Sequence, residues 1–84
     1  MKELETFKKK LIYRSKYRGT KEMDIMLGKF VKKYIDKFDL SQLNELNKFL
    51  DFEDEIIFNY YHYNIIKKDI DKNEISKIFK KDFF

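Results

Sequence analysis

The sequence predicts an all-α fold, a compact five-helix bundle formed by a single domain, residues 1–84. Apolar residues recur every three or four positions along most of the chain, which is the spacing that places them on one face of a helix. The chain has no proline and only two glycines, so few residues interrupt that pattern. At 84 residues it is also too short to divide into two lobes around a deep cleft.

The first predicted helix is amphipathic and ends shortly before a glycine. Leu4, Phe7 and Leu11 follow one another at helical spacing, so they line one apolar stripe. Gly19 supplies the flexible position at which helices commonly stop. We therefore expect this helix to end near residues 16–17.

The second predicted helix has the clearest apolar stripe in the chain. That stripe consists of Met23, Leu27, Phe30, Val31 and Tyr34. Thr20 is placed to cap the N-terminus through its hydroxyl, and Glu22 and Asp24 suit the positive end of the helix dipole. Gly28 lies inside the pattern, where it costs about 1 kcal/mol relative to alanine. We expect it to permit close approach of another helix or of a partner.

A third helix is predicted to begin near Ser41, a residue type that favours the N-cap position. Its buried face consists of Leu43, Leu46, Phe49 and Leu50. The acidic stretch from Asp51 to Glu55 then indicates a break and the first turn of a fourth helix, where carboxylates are favoured. The inward face of that fourth helix consists of Phe52, Ile56, Ile57 and Tyr60.

The stretch after the fourth helix is rich in tyrosine and isoleucine and is compatible with a strand. A single strand would have no partner in this chain, so we interpret the stretch as a helix end and a connection. Asp71 and Glu74 have the spacing of a capping box, and Ile70 and Ile75 have the spacing of the hydrophobic staple around it. These signals predict a fifth helix over residues 72–81.

The sequence offers no constellation for catalysis or for metal binding. It has no cysteine, which excludes disulfides and thiolate chemistry. His62 is the only histidine, and no acid follows it at the spacing of a ligand pair, so we interpret it as an aromatic surface neighbour. The two glycines cannot form a phosphate-binding loop. We therefore expect no metal site and no enzymatic activity.

The chain shows no signal for a membrane span or for secretion. No apolar run approaches the ~20 residues that a membrane span needs, and the N-terminal segment lacks an apolar signal core. Glu3 and Glu5 argue against a transit peptide. We expect a protein with no membrane contact in the cytoplasm, or in the mitochondrial matrix if the chain is a mature organellar form.

The formal net charge of +4 is unevenly distributed. Residues 1–21 carry eight basic and two acidic side chains, whereas residues 51–66 carry four acidic side chains and no lysine or arginine. A basic end and an acidic middle favour an oriented protein partner over nucleic acid. The alternative is a small basic helical adaptor that binds another protein or nucleic acid, because Tyr13 and Tyr17 lie among the basic residues and could stack on bases.

The junction between the first two helices carries a mixed-charge motif. Arg18 and Gly19 lie at the helix break, and Glu22 and Asp24 follow in the first turn of the next helix. If Gly19 bends the chain, the arginine projects beside a helix N-terminus that carries two carboxylates. The simplest physical interpretation is that Arg18 stabilises the turn and pairs with Glu22, a surface ion pair worth at most about 1 kcal/mol.

This motif resembles the signature of the SdhE-type succinate dehydrogenase flavinylation factors, called succinate dehydrogenase assembly factor 2 in mitochondria. The family pattern is R-G-x-x-E, then an aspartate and an apolar helix that ends in a glycine and a phenylalanine. The matching residues here are Arg18, Gly19, Glu22, Asp24, Leu27, Gly28 and Phe30. A second block, from Phe49 to Tyr60, resembles the family's apolar pair, acids and Phe-Asn-aromatic run. The resemblance covers residues 11–63, and the chain departs from the pattern after Tyr63.

The resemblance implies a five-helix bundle that binds the flavoprotein subunit of succinate dehydrogenase, or of fumarate reductase in bacteria. Members of the family promote covalent attachment of FAD to a histidine of that subunit. The residues expected to bind the partner are Arg14, Arg18, Gly19, Lys21, Glu22 and Asp24. FAD would be the cofactor of the client, and we expect this chain, which has no dinucleotide fingerprint, not to bind it tightly. The chain would act as a monomeric, chaperone-like assembly factor and not as an enzyme.

Overall fold

A computed structural model describes residues 2–82 and shows five α-helices, which confirms the predicted all-α fold. The helices are α1 (Lys2–Lys16), α2 (Lys21–Tyr34), α3 (Leu40–Phe49), α4 (Asp54–Tyr63) and α5 (Glu74–Asp82). One turn of 3₁₀ helix, Ile70–Lys72, precedes α5. None of the described residues lies in a β-strand. Helix α1 packs mainly on α2, and α5 packs on α3 and α4.

The first two helices follow the predicted pattern closely. Helix α1 ends at Lys16, and the stripe residue Leu11 is fully buried. Thr20 is the N-cap of α2, as predicted, and its side-chain oxygen accepts a hydrogen bond from the backbone N–H of Met23 at 3.3 Å. The cap replaces one of the hydrogen bonds that the first turn of a helix lacks. Gly28 is buried within α2.

Helix α3 begins earlier than predicted, and its cap is a different residue. Asp39, and not Ser41, is the N-cap: its carboxylate accepts from the N–H of Gln42 at 2.8 Å. The Gln42 side-chain oxygen accepts in return from the N–H of Asp39 at 3.0 Å, which completes a capping box. Ser41 lies inside the helix and is exposed. Asp39 is preferred to Ser41 as the N-cap because the capping box satisfies two backbone N–H groups, those of Asp39 and Gln42.

The fourth and fifth helices are joined by the connection that was predicted in place of a strand. Helix α4 ends at Tyr63, and Asn64 follows it with a left-handed backbone, φ 57°. The predicted capping box of Asp71 and Glu74 is wrong, because Glu74 is the first residue of α5. Asn73 takes the capping role, and its Oδ1 accepts from the N–H of Ser76 at 2.9 Å. The 3₁₀ turn displaces the helix start by about two residues from the predicted position.

Three phenylalanine rings from different helices form the centre of the core. Phe30 of α2, Phe49 of α3 and Phe79 of α5 are fully buried. The ring of Phe30 lies edge-on to that of Phe79, with centroids 5.1 Å apart, and the Phe49 and Phe79 centroids are 5.6 Å apart. Tilted and edge-on pairs of this kind stabilise a core beyond the area that they bury. Helices α2, α3 and α5 therefore share one aromatic centre.

Candidate functional site

The motif begins in the four-residue link between α1 and α2, residues 17–20, and continues into the first turn of α2. The link contains Arg18 and Gly19. Gly19 has φ +142°, a backbone conformation that residues with a Cβ rarely adopt. This turn points the Arg18 side chain toward the connection between α3 and α4, and only 9% of that side chain is exposed.

The Arg18 guanidinium is held by three acceptors: two backbone carbonyls of the α3–α4 connection and the carboxylate of the first residue of α4. Its Nε donates to Asp54 Oδ1 at 2.5 Å, and Nη1 donates to the carbonyl of Leu50 at 2.7 Å. Nη2 donates to the carbonyl of Phe52. We call this arrangement of Arg18, Asp54 and the two carbonyls the arginine clasp. The predicted pairing of Arg18 with Glu22 is wrong, because all three guanidinium nitrogens donate to the acceptors of the clasp.

Further hydrogen bonds from Arg18 and Arg14 stabilise the same region. The backbone N–H of Arg18 donates to Asp24 Oδ1 at 2.7 Å, which ties the link to the first turn of α2. Arg14 Nη2 donates to Asp51 Oδ1 at 2.5 Å, and its Nη1 donates to the carbonyl of Asn47 at 3.1 Å. Arg14 therefore joins α1 to α3 and to the α3–α4 connection, and Arg18 joins the α1–α2 link to that connection and to α4.

The remaining predicted site residues face outward. Gly19, Lys21 and Glu22 are exposed. Within residues 2–82, neither Lys21 nor Glu22 forms a side-chain hydrogen bond or an ion pair. Beside them, on α1 and the link, Tyr13 and Tyr17 are 65% and 70% exposed, with ring centroids 4.7 Å apart. The structure thus divides the six residues into an inward-bonded group, Arg14, Arg18 and Asp24, and an exposed group, Gly19, Lys21 and Glu22.

The sequence matches one family model, described as flavinator of succinate dehydrogenase, over residues 9–82. The chain belongs to this family. The matched span includes both halves of the arginine clasp, and it confirms the family that the motif indicated. It also extends through the stretch after Tyr63, where the motif resemblance ended.

Curated relatives carry the same family identity. A protein of Dictyostelium discoideum named succinate dehydrogenase assembly factor 2, mitochondrial, is 44% identical over 66 residues, which cover 79% of this chain and 44% of the relative. A protein of the same name from Meyerozyma guilliermondii is 35% identical over 82 residues, which cover 93% of this chain and 61% of the relative. The chain thus spans about half the length of these relatives. No solved structure matches the chain.

Sequence reasoning about this flavinator-family chain missed the role of Asp54. The acids at 53–55 were interpreted as the favoured first turn of α4, and Asp54 is indeed the first residue of that helix. Its carboxylate has a second function, since it is the charged partner of Arg18 and its side chain is only 17% exposed. Nothing local in the sequence separates Asp54 from its two acidic neighbours, because its partner lies 36 positions earlier.

The rest of this family member offers little chemistry of its own. Residues 2–82 contain no group of three or more side chains that could hold a metal ion. His62 is exposed and lies among aromatic rings, with its centroid 4.1 Å from that of Phe58. No helix in the described part of the chain is long and apolar enough to cross a bilayer. The features that call for an explanation are therefore the clasp and the exposed surface beside it.

Proposed function

We propose that this chain is a non-catalytic assembly factor that binds the flavoprotein subunit of succinate dehydrogenase and promotes covalent attachment of FAD to it. The observation that carries the proposal is the family match over residues 9–82, which includes the Arg18–Glu22 motif and the loop that holds it. The names of the relatives describe assembly factors for the same enzyme. Fumarate reductase is a second client of the same chemical kind.

In this proposal the client supplies the reacting groups. The flavin and the histidine of the flavoprotein carry the bond-forming chemistry, and FAD stays with the client throughout. The assembly factor contributes binding and orientation. Holding two reacting groups in near-attack geometry lowers a barrier substantially without any catalytic side chain. Such a factor needs a rigid, oriented contact surface, and it needs neither a deep pocket nor a metal.

The inward and exposed groups of the motif have different functions in the proposal. Lys21 and Glu22 contact the client directly, because their charges are not used inside the described residues. Gly19 allows the client to approach the link closely, since it presents no side chain. Arg18 and Asp24 position this surface: they fasten the link to α4 and to α2, respectively. Arg14 adds a second fastening to α3.

The relatives are named as mitochondrial proteins, which favours the mitochondrial matrix over the bacterial cytoplasm as the compartment of this chain. We also propose that the free factor is a monomer and that it binds the flavoprotein subunit in that compartment. Gel filtration of the purified chain with and without the flavoprotein subunit measures both the free state and the complex.

The decisive experiment measures covalent flavin on the flavoprotein by in-gel fluorescence, in cells with and without this chain. We expect the fluorescence to be lost without the chain and restored by the wild type. Unchanged fluorescence would reject the assembly role and favour a basic adaptor that binds another protein or nucleic acid.

A pair of matched variants then tests the site. Glu22→Ala and Glu55→Ala each remove an exposed glutamate from the first turn of a helix, so they have the same local effect on helix stability. Loss of a charge-assisted hydrogen bond to the client costs about 1.5–3 kcal/mol, roughly a 10- to 100-fold loss of affinity. We expect Glu22→Ala to lower covalent flavin and Glu55→Ala to leave it unchanged. Equal effects of the two variants would remove Glu22 from the contact.

A further inference from the structure

A shallow groove runs along the exposed side of α2 beside the end of α1. Its volume is about 440 Å³. We call it the α2 groove. Its lining residues are Lys16, Tyr17, Lys21, Asp24, Ile25, Gly28, Lys29 and Lys32. It shares Lys21 and Asp24 with the predicted partner-binding residues and extends beyond them, toward Lys29 and Lys32 in the C-terminal half of α2.

The charge of the α2 groove is strongly positive and is not neutralised from within. Its four lysines are exposed, and none of them forms an ion pair within residues 2–82. The single acid of the lining, Asp24, already accepts the backbone N–H of Arg18. Glu22 adjoins the groove at the start of α2, so the positive end of the groove is the one that holds Lys29 and Lys32. Unpaired charges gathered in a concave surface attract a partner of opposite sign.

The middle of the groove is apolar. Ile25 is 47% exposed, and Lys21 and Lys29 lie four residues before and after it, on the same side of the helix. The Tyr17 ring, 70% exposed, forms the neighbouring wall. A large apolar side chain ringed by charges has the form of a central anchor contact with a polar rim.

Gly28 is a lining residue at which the fold has room for a Cβ. Among residues 2–82, a Cβ built on it would meet only the Cγ of Lys16, at 3.5 Å, which is an ordinary van der Waals distance. Its backbone has ordinary helical geometry, because Gly19 is the only glycine with positive φ. Glycine inside a helix is destabilising relative to alanine. Gly28 is buried beneath the Lys16 side chain in the free chain, so the missing Cβ leaves room for close approach from outside when that flexible side chain moves aside.

We propose that the α2 groove is the docking site for an acidic segment of the client flavoprotein, with one apolar side chain of that segment seated on Ile25 and Gly28. The segment places its carboxylates over Lys29 and Lys32. The identity of the client rests on the function proposed above; the chemistry of the segment rests on the groove. A nucleic-acid strand fits less well, because Glu22 and Asp24 repel phosphates at one end and the centre offers an apolar contact.

The first test compares two charge-reversal variants for binding to the purified flavoprotein subunit by isothermal titration calorimetry. Lys29→Glu/Lys32→Glu reverses the groove, and Lys77→Glu/Lys81→Glu makes the same charge change on exposed lysines of α5. Each pair includes a lysine from the last turn of its helix, so the effects on helix stability are matched. We expect at least a tenfold loss of affinity for the groove variant and less than a twofold change for the α5 variant.

The outcomes separate this inference from the proposed function. If the wild type binds the flavoprotein and both variants bind equally well, the docking site is wrong and the assembly function stands. If the wild type does not bind the flavoprotein, both proposals are overturned. Tighter binding of a single-stranded oligonucleotide than of the flavoprotein, with loss in the groove variant, would overturn the acidic-segment proposal in favour of nucleic acid.

Gly28→Ala supplies a second test that loss of folding cannot imitate. We expect the variant to melt about 3 °C or more above the wild type, because alanine stabilises the helix, and yet to bind the flavoprotein at least fivefold more weakly. Unchanged binding by the stabilised variant would contradict the close approach at Gly28.

A cross-link identifies the segment itself. The chain has no cysteine, so Ile25→Cys carries a photo-cross-linker at a unique position, and Lys77→Cys is the control. We expect mass spectrometry to find Ile25→Cys joined to a client peptide that contains several acidic residues and an apolar one. A cross-linked peptide without acidic residues would overturn the proposal.

Discussion

The guanidinium of Arg18 joins parts of the chain that are 36 positions apart, and its bonds are those of a structural residue. A nearly buried ion pair is strongly destabilised when one partner is removed, because the other charge is left without compensation. The side chains of Arg18 and Asp54 are 9% and 17% exposed. By contrast, the Arg14–Asp51 pair is 34% and 69% exposed, so solvent screens most of its energy.

We therefore predict that Arg18→Met lowers the free energy of unfolding by about 3 kcal/mol, while Arg14→Met lowers it by about 1 kcal/mol or less. Methionine keeps the packing of the side-chain stem and removes the charge. Urea unfolding followed by circular dichroism measures both. Arg18→Met/Asp54→Asn should recover part of the loss, with a coupling energy of about 1–2 kcal/mol. A loss below 1 kcal/mol for Arg18→Met would show that the clasp contributes little to stability.

The predicted loss of stability affects how an Arg18 variant can be used in a functional assay. The sequence alone indicated that Arg18 belongs to a surface ion pair worth at most about 1 kcal/mol, so its removal would cost the fold little. The junction was predicted correctly because glycine spacing and helix caps are local signals. The Asp54 partner was not, because a contact across 36 positions depends on tertiary packing. Loss of flavin attachment in an Arg18 variant must therefore be read together with its stability.

At the level of the helices, the sequence predicted the elements better than their first residues. All five helices and the break at the acidic stretch are confirmed. Thr20 is confirmed as a cap because no competing residue stands near it. Ser41 was wrong because Asp39, two positions earlier, forms a capping box with Gln42. Where two possible N-cap residues lie this close together, the one that forms a capping box becomes the cap, and the structure is needed to see which one that is.

The α3 cap gives a direct test of that conclusion. We predict that Asp39→Ala lowers the free energy of unfolding by about 1 kcal/mol, the usual cost of losing an N-cap. Ser41→Ala should change it by less than about 0.5 kcal/mol, because this serine is an exposed residue inside the helix. Thermal melts of the two variants provide the measurement. A larger loss for Ser41→Ala than for Asp39→Ala would return the cap to Ser41.

At the scale of the whole molecule, two sets of side-chain hydrogen bonds join segments that are distant in the sequence. The arginine clasp ties the α1–α2 link to the α3–α4 connection. On the other side, Asp82 near the end of α5 joins the end of α2: its Oδ1 accepts from Lys33 Nζ and from the Tyr34 hydroxyl, each at 2.9 Å. The Tyr34 ring stacks on Phe38 with centroids 5.2 Å apart. Neither closure was predicted from the sequence, since each joins residues more than 30 positions apart.

The Asp82 closure makes part of the stability dependent on pH. Hydrogen bonds from Lys33 and then Tyr34 hold the pKa of Asp82 below its ordinary value. A carboxyl whose pKa is lower in the folded state stabilises the fold above its unfolded pKa, and this stability is lost as the pH falls through the folded value. The same bonds raise the pKa of Lys33 and of Tyr34. Their contribution is present below the unfolded values and is lost as the pH rises through the folded ones.

We therefore predict that Asp82→Asn is less stable than the wild type at pH 7 and that the difference shrinks as the pH falls below about 4, the ordinary range of an aspartate. The difference should also shrink in alkali above about pH 10, where Tyr34 and Lys33 begin to lose their protons. Urea unfolding at pH 3, 7 and 10.5 measures both limbs. Glu55→Gln is the control, because Glu55 is exposed and forms no ion pair within residues 2–82, and its stability relative to the wild type should not follow this profile. A constant difference between Asp82→Asn and the wild type at all three pH values would show that the closure of α5 on α2 depends on packing around Phe79 and Tyr34 and not on the charge of Asp82.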